Sequence, residues 1–214
     1  GGAAVTDISQ VRADADVYIL SVKDDALPVL IPQLCRGRED KLFLHTAGSV
    51  SIDVFQGMAR HYGVFYPMQT FSRQKRVSFE EIPCFIEGSG EEEEAAIEAL
   101  ASQLSHRVYR LSSEARKYLH LSAVFACNFV NHCYAISAEL LEKHGIPFDV
   151  MLPLIDETAA KVHQMAPKDA QTGPAVRYDE NVIRAQSQLL RNNPLVKDIY
   201  DRMSMNIHRL SEEV

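Results

Sequence analysis

The run Val17-Tyr18-Ile19-Leu20-Ser21-Val22 decides the fold class, because it is a continuous apolar segment of strand length. Such runs are typical of strands that are covered on both faces of a sheet. Further strands are predicted at residues 42–45, 63–66, 84–87 and 108–109, with helices at 26–34, 52–58 and from residue 91 onward. This alternation predicts an α/β fold with a mostly parallel, Rossmann-like sheet.

The chain changes character after residue 111, and from Ser112 onward the apolar spacing is helical almost throughout. Helices are predicted at about 113–143, 148–165, 181–190 and from 194 to the C-terminus, with an irregular stretch at 166–179. Gly145 and Pro147 end the first of these helices. We therefore predict two domains, a Rossmann-like α/β domain at 1–111 and a helical C-terminal domain at 112–214.

Composition excludes several classes of protein. The 214 residues carry a net charge of −7, which provides no general attraction to nucleic acid or to anionic membranes. No apolar run approaches the roughly 20 residues that span a bilayer, and no secretory leader is recognisable. The four cysteines form no CxxC pair and the histidines form no HExxH pair, so we predict no metal site and a cytoplasmic location.

No glycine-rich phosphate loop precedes or follows the first predicted strand. A doubly wound sheet normally has a GxGxxG turn there, whose backbone amides hold a pyrophosphate. Either the sheet never bound a dinucleotide, or roughly fifty residues, about one β-α-β unit, are absent upstream. In the second case the stretch as it stands is expected to bind a dinucleotide poorly.

Four segments together match a known pattern. They are residues 17–25 with 45–49, the segment Tyr66-Pro67-Met68-Gln69-Thr70-Phe71, the helical residues Lys117, His120 and Asn128, and the loop Thr172-Gly173-Pro174 with Arg177 and Asp179. They resemble a Rossmann-like NADP oxidoreductase family with an all-helical C-terminal domain of unknown function. That family is related to pyrroline-5-carboxylate reductase and to deazaflavin-dependent NADP reductases. Tyr66 stands where the family usually has His, and Tyr178 where Gly is usual.

The resemblance implies an oxidoreductase that transfers a hydride between the nicotinamide of NADP (or NAD) and a C=O or C=N bond of a small, anionic substrate. It also implies a C-terminal domain like that of 6-phosphogluconate dehydrogenase. The residues implied as cofactor-binding are Ser21, Val22, Lys23, Thr46, Ala47, Gly48, Pro67 and Gln69. Lys117 and His120 are implied as catalytic, and Asn128, Thr172, Gly173, Pro174, Arg177 and Asp179 as substrate-binding.

Each group also has a purely structural interpretation. Small polar residues end strands in many proteins, and residues 67–71 could form an ordinary loop. Eleven residues separate Lys117 from Asn128, almost three helical turns, so both are expected on one face with His120 nearby, about 16 Å apart along the axis. Asn128 could simply fill a polar position between packed helices, and His120 could be an interior histidine.

Two loops allow more than one interpretation. Arg177 offers a planar fork for a carboxylate or phosphate at a domain cleft, or it could form a surface ion pair with Asp179. Arg73, Lys75 and Arg76 could contact a cofactor phosphate, or they could lie in a solvated loop.

The long apolar helix predicts a homodimer formed through the C-terminal helices. The alternative to the enzyme is a non-catalytic ligand-binding or dimerisation module on a Rossmann-like scaffold.

Overall fold

The computed structural model describes residues 3–72 and 75–212. The first part contains β1 (Val17–Leu20), α1 (Leu27–Cys35), β2 (Leu42–His45), β3 (His61–Pro67), β4 (Cys84–Gly88), α2 (Glu91–Ser102) and β5 (Val108–Arg110). The helices that follow are α3 (Ser113–Ala123), α4 (Val130–Glu142), α5 (Leu152–Lys161), α6 (Glu180–Leu189) and α7 (Pro194–Glu212). The chain divides into two compact units, residues 1–130 and 131–214.

Within the described residues, five strands form one sheet in the order β1-β2-β3-β4-β5. β1, β2 and β3 run parallel, β4 is antiparallel to β3, and β5 is parallel to β4. The reversal arises because the segment between β3 and β4 returns the chain by a loop, whereas a parallel pair needs a crossover. The predicted α/β class with a mostly parallel, Rossmann-like sheet and a helical C-terminal region is confirmed.

Each face of the sheet carries its own apolar core. On one face, Leu27, Ile31 and Cys35 of α1, spaced four residues apart, pack against strands β1 and β2. On the other face, Ile97 and Ala101 of α2 pack against strand residues that include Leu44, Phe65 and Ile86. The two layers hold the strands in register, so the side chains at the carboxyl ends of β1, β2 and β3 have fixed positions.

Two predicted helices differ from the structure. Residues 52–58 were predicted as a helix, but the structure has a short 3-10 turn at Ile52–Phe55. The helix predicted at about 113–143 is interrupted by a π-helical segment, Val124–Phe129. Because π turns hold more residues than α turns, the regular 3.6-residue count does not extend from Lys117 to Asn128. The common face of Lys117 and Asn128, which was predicted for a regular α-helix, stays a prediction.

In the second unit, Asp179 begins α6 by accepting a hydrogen bond from the backbone N–H of Val182 at 3.3 Å. A small apolar cleft of about 160 Å³ lies between residues of α4 and α7, including Ile136 and Met203. Within residues 3–72 and 75–212, no helix has the length and apolarity to cross a bilayer.

Candidate functional site

The loops after β1 and β2 meet at the carboxyl edge of the sheet. Oγ1 of Thr46 donates to Oγ of Ser21 at 3.2 Å, and the backbone N–H of Thr46 donates to the carbonyl of Leu20 at 3.2 Å. Oγ of Ser49 also hydrogen-bonds Oδ2 of Asp24. The two loops predicted to face a cofactor are thus joined, as expected for neighbouring parallel strands, with Ser21, Val22 and Lys23 exposed.

Tyr66, near the end of β3, contacts His120 of α3 at the same edge. Its Oη lies 3.1 Å from Nδ1 of His120, and the two rings meet edge-on with centroids 6.1 Å apart. Burial raises the pKa of Tyr66, an effect opposed by the positive charge of Arg116 and reinforced by Asp24. The phenol therefore keeps its proton at neutral pH and can donate it to a hydrogen bond.

Gly48, in the loop after β2, packs directly against this pair. A methyl group added at Gly48 would lie 2.5 Å from Nδ1 of His120 and 3.0 Å from Cζ of Tyr66. The first distance is shorter than real Cβ contacts and the second is tighter than most of them, so a side chain at residue 48 would require the His120 ring to move. Gly48 was predicted to bind the cofactor, and that role stays a prediction, whereas its close packing against Tyr66 and His120 is what the structure shows.

A buried ion pair between Arg116 and Glu87 supports the helix that carries His120. The side chain of Arg116 is fully buried, and its Nη1 donates to Oε2 of Glu87 at 2.6 Å. Nη2 of Arg116 donates to the carbonyl of Val50 at 2.5 Å, and the hydroxyl of Ser113 donates to the same Glu87 oxygen at 2.6 Å. These bonds attach the first turns of α3 to β4 and to the loop after β2.

His45, the last residue of β2, is also fully buried. Its Nδ1 accepts a hydrogen bond from the backbone N–H of Ala47 at 3.1 Å, which places the ring proton on Nε2. Burial, and next the positive charge of Arg116, lower the pKa of His45 to about 4. His45 is therefore a neutral part of the support at neutral pH.

Sequence reasoning did not identify Tyr66, Arg116, Glu87 or His45 as site residues. Tyr66 was noted only as a departure from the family pattern, although its place at the end of a predicted strand was a usable signal. Arg116 precedes His120 by four residues and therefore lies on the same side of α3. That spacing was visible in the sequence, but nothing in the sequence indicates that an arginine is buried.

Other predicted residues are not brought to this pair. Nζ of Lys117 donates to Glu114 at 2.7 Å, and no contact joins Lys117 to Tyr66 or His120 among the described residues. Pro67 ends β3 and pairs with Cys84 across the antiparallel ladder. The side chain of Gln69 accepts from the backbone N–H of Thr70 at 2.8 Å, and Asn128 is exposed in the π-helical segment.

The predicted substrate loop lies in the second unit. Gly173 has φ +107°, and the exposed Arg177 forms no ion pair in the part of the chain that the structure describes. The alternative of an Arg177–Asp179 ion pair is therefore wrong, because Asp179 caps α6 instead. Thr172 is exposed, and Pro174 accepts a hydrogen bond at its carbonyl from the backbone N–H of Asp179 at 2.9 Å.

Tyr178 stands where Gly is usual in the family, and its backbone conformation and contacts explain how a tyrosine is accommodated there. It has φ +50°, in the left-handed region that favours glycine, which is the residue usual there. Its ring stacks on His208 of α7 with centroids 4.2 Å apart, and Oγ of Ser211 donates to the carbonyl of Val176 at 3.3 Å. These contacts hold the loop in place and offset the strain at Tyr178.

Two remaining expectations concern metals and the basic segment. Among the residues described, no group of three or more His, Cys, Asp or Glu side chains could hold a metal ion. Lys75 and Arg76 are exposed, whereas Arg73 lies outside the described residues.

Comparison with known proteins gives one family match and several similar solved structures. The family model of DUF2520, a domain of unknown function, matches residues 82–207, more than half of the chain. A solved structure from Bacteroides fragilis, described as a "putative NADP oxidoreductase", is 55% identical, with a TM-score of 0.91 over 96% of this chain and 80% of that one. No curated protein matches the sequence.

More distant structures share the fold. Protein TM1727 from Thermotoga maritima is 21% identical, with a TM-score of 0.73 over 95% of this chain and 81% of that one. An imine reductase from Myxococcus stipitatus, solved with NADP⁺, is 14% identical, with a TM-score of 0.65 over 98% and 79%. The match to the family model over more than half of the chain shows that this chain belongs to the DUF2520 family, and its fold is Rossmann-like with a helical second part.

Proposed function

We propose that the protein is an NADP-dependent oxidoreductase that transfers a hydride between nicotinamide and a C=O or C=N bond of a small anionic substrate. The observation that supports this most is the Tyr66–His120 pair at the carboxyl edge of a Rossmann-like sheet. A chain 55% identical is described as a "putative NADP oxidoreductase", and distant neighbours with the same fold were solved with NADP⁺ or NADPH.

The cofactor would lie over the loops after β1, β2 and β3. The loop Ser21-Val22-Lys23 fits a dinucleotide, because it is exposed and its backbone can approach a ligand. Thr46 is half-buried and hydrogen-bonds Ser21, whereas Ala47 and Gly48 are buried and would support the loop from the end of β2. Lys23 would contact a phosphate, and Pro67 and Gln69 would border the nicotinamide side. When bound, the cofactor supplies the hydride, and the protein positions it and moves the proton.

His120 is the proton donor that the geometry favours. It is half-buried, its Nδ1 lies 3.1 Å from Oη of Tyr66, and histidine is the side chain that most often transfers protons in catalysis. Lys117 is exposed and paired with Glu114, so its part in the proposal is to contact substrate or cofactor from the rim of the site.

The substrate would be bound through its negative charge. The exposed guanidinium of Arg177 has no acidic partner among the described residues, so it is available for a carboxylate or phosphate. Thr172, Gly173 and Pro174 would shape that loop, Asp179 would hold it at the start of α6, and Asn128 would add an amide contact.

We further propose a cytoplasmic homodimer that forms through the C-terminal helices. In the first unit, Tyr118, Leu121, Phe125 and Phe129 expose large apolar surfaces. In the second unit, Leu189 and Leu195 are 83% and 78% exposed. A second copy of the chain would cover such surfaces. Sedimentation at micromolar concentration is expected to give a dimer, and a monomer would contradict this part of the proposal.

The cofactor proposal is tested by calorimetric titration of NADPH and of NADH into the protein expressed from its full reading frame. Micromolar binding of NADPH, weakened about tenfold by Lys23→Gln, is the expected result, since a charged hydrogen bond is worth roughly 1.5–3 kcal/mol. Lys41→Gln is the matched control, because Lys41 is a partly exposed lysine just before β2 that pairs with Asp16. No binding of either nucleotide by the folded protein would favour the non-catalytic binding module instead.

A further inference from the structure

The hydrogen bond between Tyr66 and His120 joins Oη to Nδ1, and its direction depends on which ring nitrogen of His120 carries the proton. The phenol of Tyr66 is protonated at neutral pH, because its burial outweighs the opposing charge of Arg116. The hydroxyl can donate to Nδ1 of His120, and in that arrangement a neutral imidazole carries its own proton on Nε2. Among the described residues, Nε2 of His120 has no hydrogen-bond partner, so this proton is available to a ligand.

Burial has the largest effect on the Tyr66 phenol and holds its proton, and of the nearby charges among the described residues Arg116 alone favours proton loss. Arg116 lies one helical turn before His120 and favours the phenolate form of Tyr66. Its pairing with Glu87 holds it in place, and Asp24 acts in the opposite direction. His45 is neutral and adds no charge. A phenolate formed at Tyr66 would thus be favoured by the charge of Arg116, which is itself paired with Glu87.

We propose that Tyr66 and His120 form a relay of two coupled proton transfers, a role that rests on the proposed oxidoreductase function. As the carbon of the substrate C=N or C=O bond gains the hydride, the Nε2–H bond of His120 breaks and the proton bonds to the substrate nitrogen or oxygen. At the same time the O–H bond of Tyr66 breaks and its proton bonds to Nδ1. The imidazole stays neutral, the phenolate forms beside Arg116, and a proton from water restores Tyr66.

The relay makes Tyr66 a catalytic residue even though it need not touch the substrate carbon. A histidine that acts alone would become an anionic imidazolate if it gave up Nε2–H while neutral. The proton from Tyr66 prevents that charge from forming on the ring, which is the physical reason for a second group.

The first test needs no substrate. In protein labelled with ¹⁵N in its histidine rings, the nitrogen shifts of His120 are expected to show a protonated Nε2 and an unprotonated, hydrogen-bonded Nδ1. The Nδ1 signal is expected to change in Tyr66→Phe and to stay unchanged in Tyr62→Phe. Tyr62 is the matched control, because it lies on the same strand and the same face and packs against Phe55. A protonated Nδ1, or no change in Tyr66→Phe, overturns the relay.

The second test uses NADPH oxidation with any carbonyl or imine acid that the wild-type protein reduces. Tyr66→Phe is expected to lower kcat about 10- to 100-fold with little change in KM, while Tyr62→Phe retains wild-type kcat. The Tyr66→Phe/His120→Asn double variant is expected to be no slower than the slower single variant, since the two groups act as one unit. A wild-type protein that binds no nucleotide contradicts the proposed function, whereas an active Tyr66→Phe variant with wild-type kcat contradicts the relay alone.

Discussion

Arg116 of α3 and Glu87 of β4 form an ion pair at 2.6 Å in which the arginine side chain is fully buried. Glu87 lies at the same level of the sheet as His45, because both pair with Val64 of β3. The pair therefore joins the helix that carries His120 to the strands that carry the rest of the candidate site. The contribution of this ion pair to the free energy of unfolding can be measured.

Arg116→Met is expected to destabilise the protein by about 3–5 kcal/mol, because it leaves the largely buried Glu87 carboxylate without its partner. The double variant Arg116→Met/Glu87→Gln is expected to recover part of that loss, since the uncompensated charge is gone. Urea unfolding of the four proteins in the cycle measures the coupling. Additive losses would show that the two side chains do not interact in solution.

Gly48→Ala is expected to disrupt the contact between Tyr66 and His120, since the added methyl group would lie 2.5 Å from Nδ1 of His120. The cost is expected to be about 1–3 kcal/mol, as for other overpacked sites. Gly90→Ser is the control, because a carbon added there meets only the flexible carboxylate of Glu93 and serine is a favoured N-cap residue. Thermal unfolding that gives equal stability for the two variants would contradict the close packing at Gly48.

The stability of the protein is expected to fall between pH 6.5 and pH 4 because of His45. Its pKa is about 4 in the folded protein against 6.5 in an unfolded chain, so the unfolded state binds the extra proton in this range. The contribution is fully present above pH 6.5 and is lost as the pH falls, by about 3 kcal/mol in total. His45→Gln is expected to flatten this part of the stability profile, measured by urea unfolding at several pH values.

His61→Gln provides the comparison for the pH profile. The ring of His61 is exposed and hydrogen-bonds Glu93 at 2.6 Å, so its removal does not touch the buried ring of His45. The fall in stability attributed to His45 is expected to persist in this variant. If His45→Gln and wild type show the same pH dependence, the buried neutral state of His45 is refuted.

Arg177→Ala is expected to weaken binding of an anionic substrate by about 1–3 kcal/mol without lowering stability. Its guanidinium is exposed and has no acidic partner within residues 3–72 and 75–212, so the fold loses little. Arg184→Ala removes an exposed arginine of α6 that pairs with Glu180, and it is expected to bind substrate normally. Substrate affinity measured by titration distinguishes the two. Equal affinities in both variants would remove Arg177 from the site.

Asp179→Ala is expected to lower stability by about 1 kcal/mol, because the carboxylate caps the first turn of α6. Asp179→Ser is expected to restore most of this stability, since a hydroxyl can accept the same hydrogen bond. If Asp179→Ser is as stable as wild type but binds substrate less well, the carboxylate has a binding role in addition to the cap. Unfolding and titration of the same two variants provide both readouts.

The sequence by itself determined the elements of this protein. Apolar runs such as Val17–Leu20 and Leu42–His45 predicted the strands, and the helical periodicity after Ser112 predicted the second half, because burial on a strand or helix follows a short-range pattern. The loops at the carboxyl ends of β1 and β2 could also be predicted to lie together, since neighbouring parallel strands end at one edge. The π-helical segment could not, because no residue type in it specifies a wider turn.

Only the tertiary structure decided which side chains meet. Tyr66 and His120 are 54 residues apart, and Glu87 and Arg116 are 29 apart. Their contacts depend on the register of β3 and β4 and on the position of α3 against the sheet, which result from the packing of the whole core. The sequence pattern is local and the contacts are not, so the residues that a cofactor and substrate would meet follow from the sequence only through the complete fold.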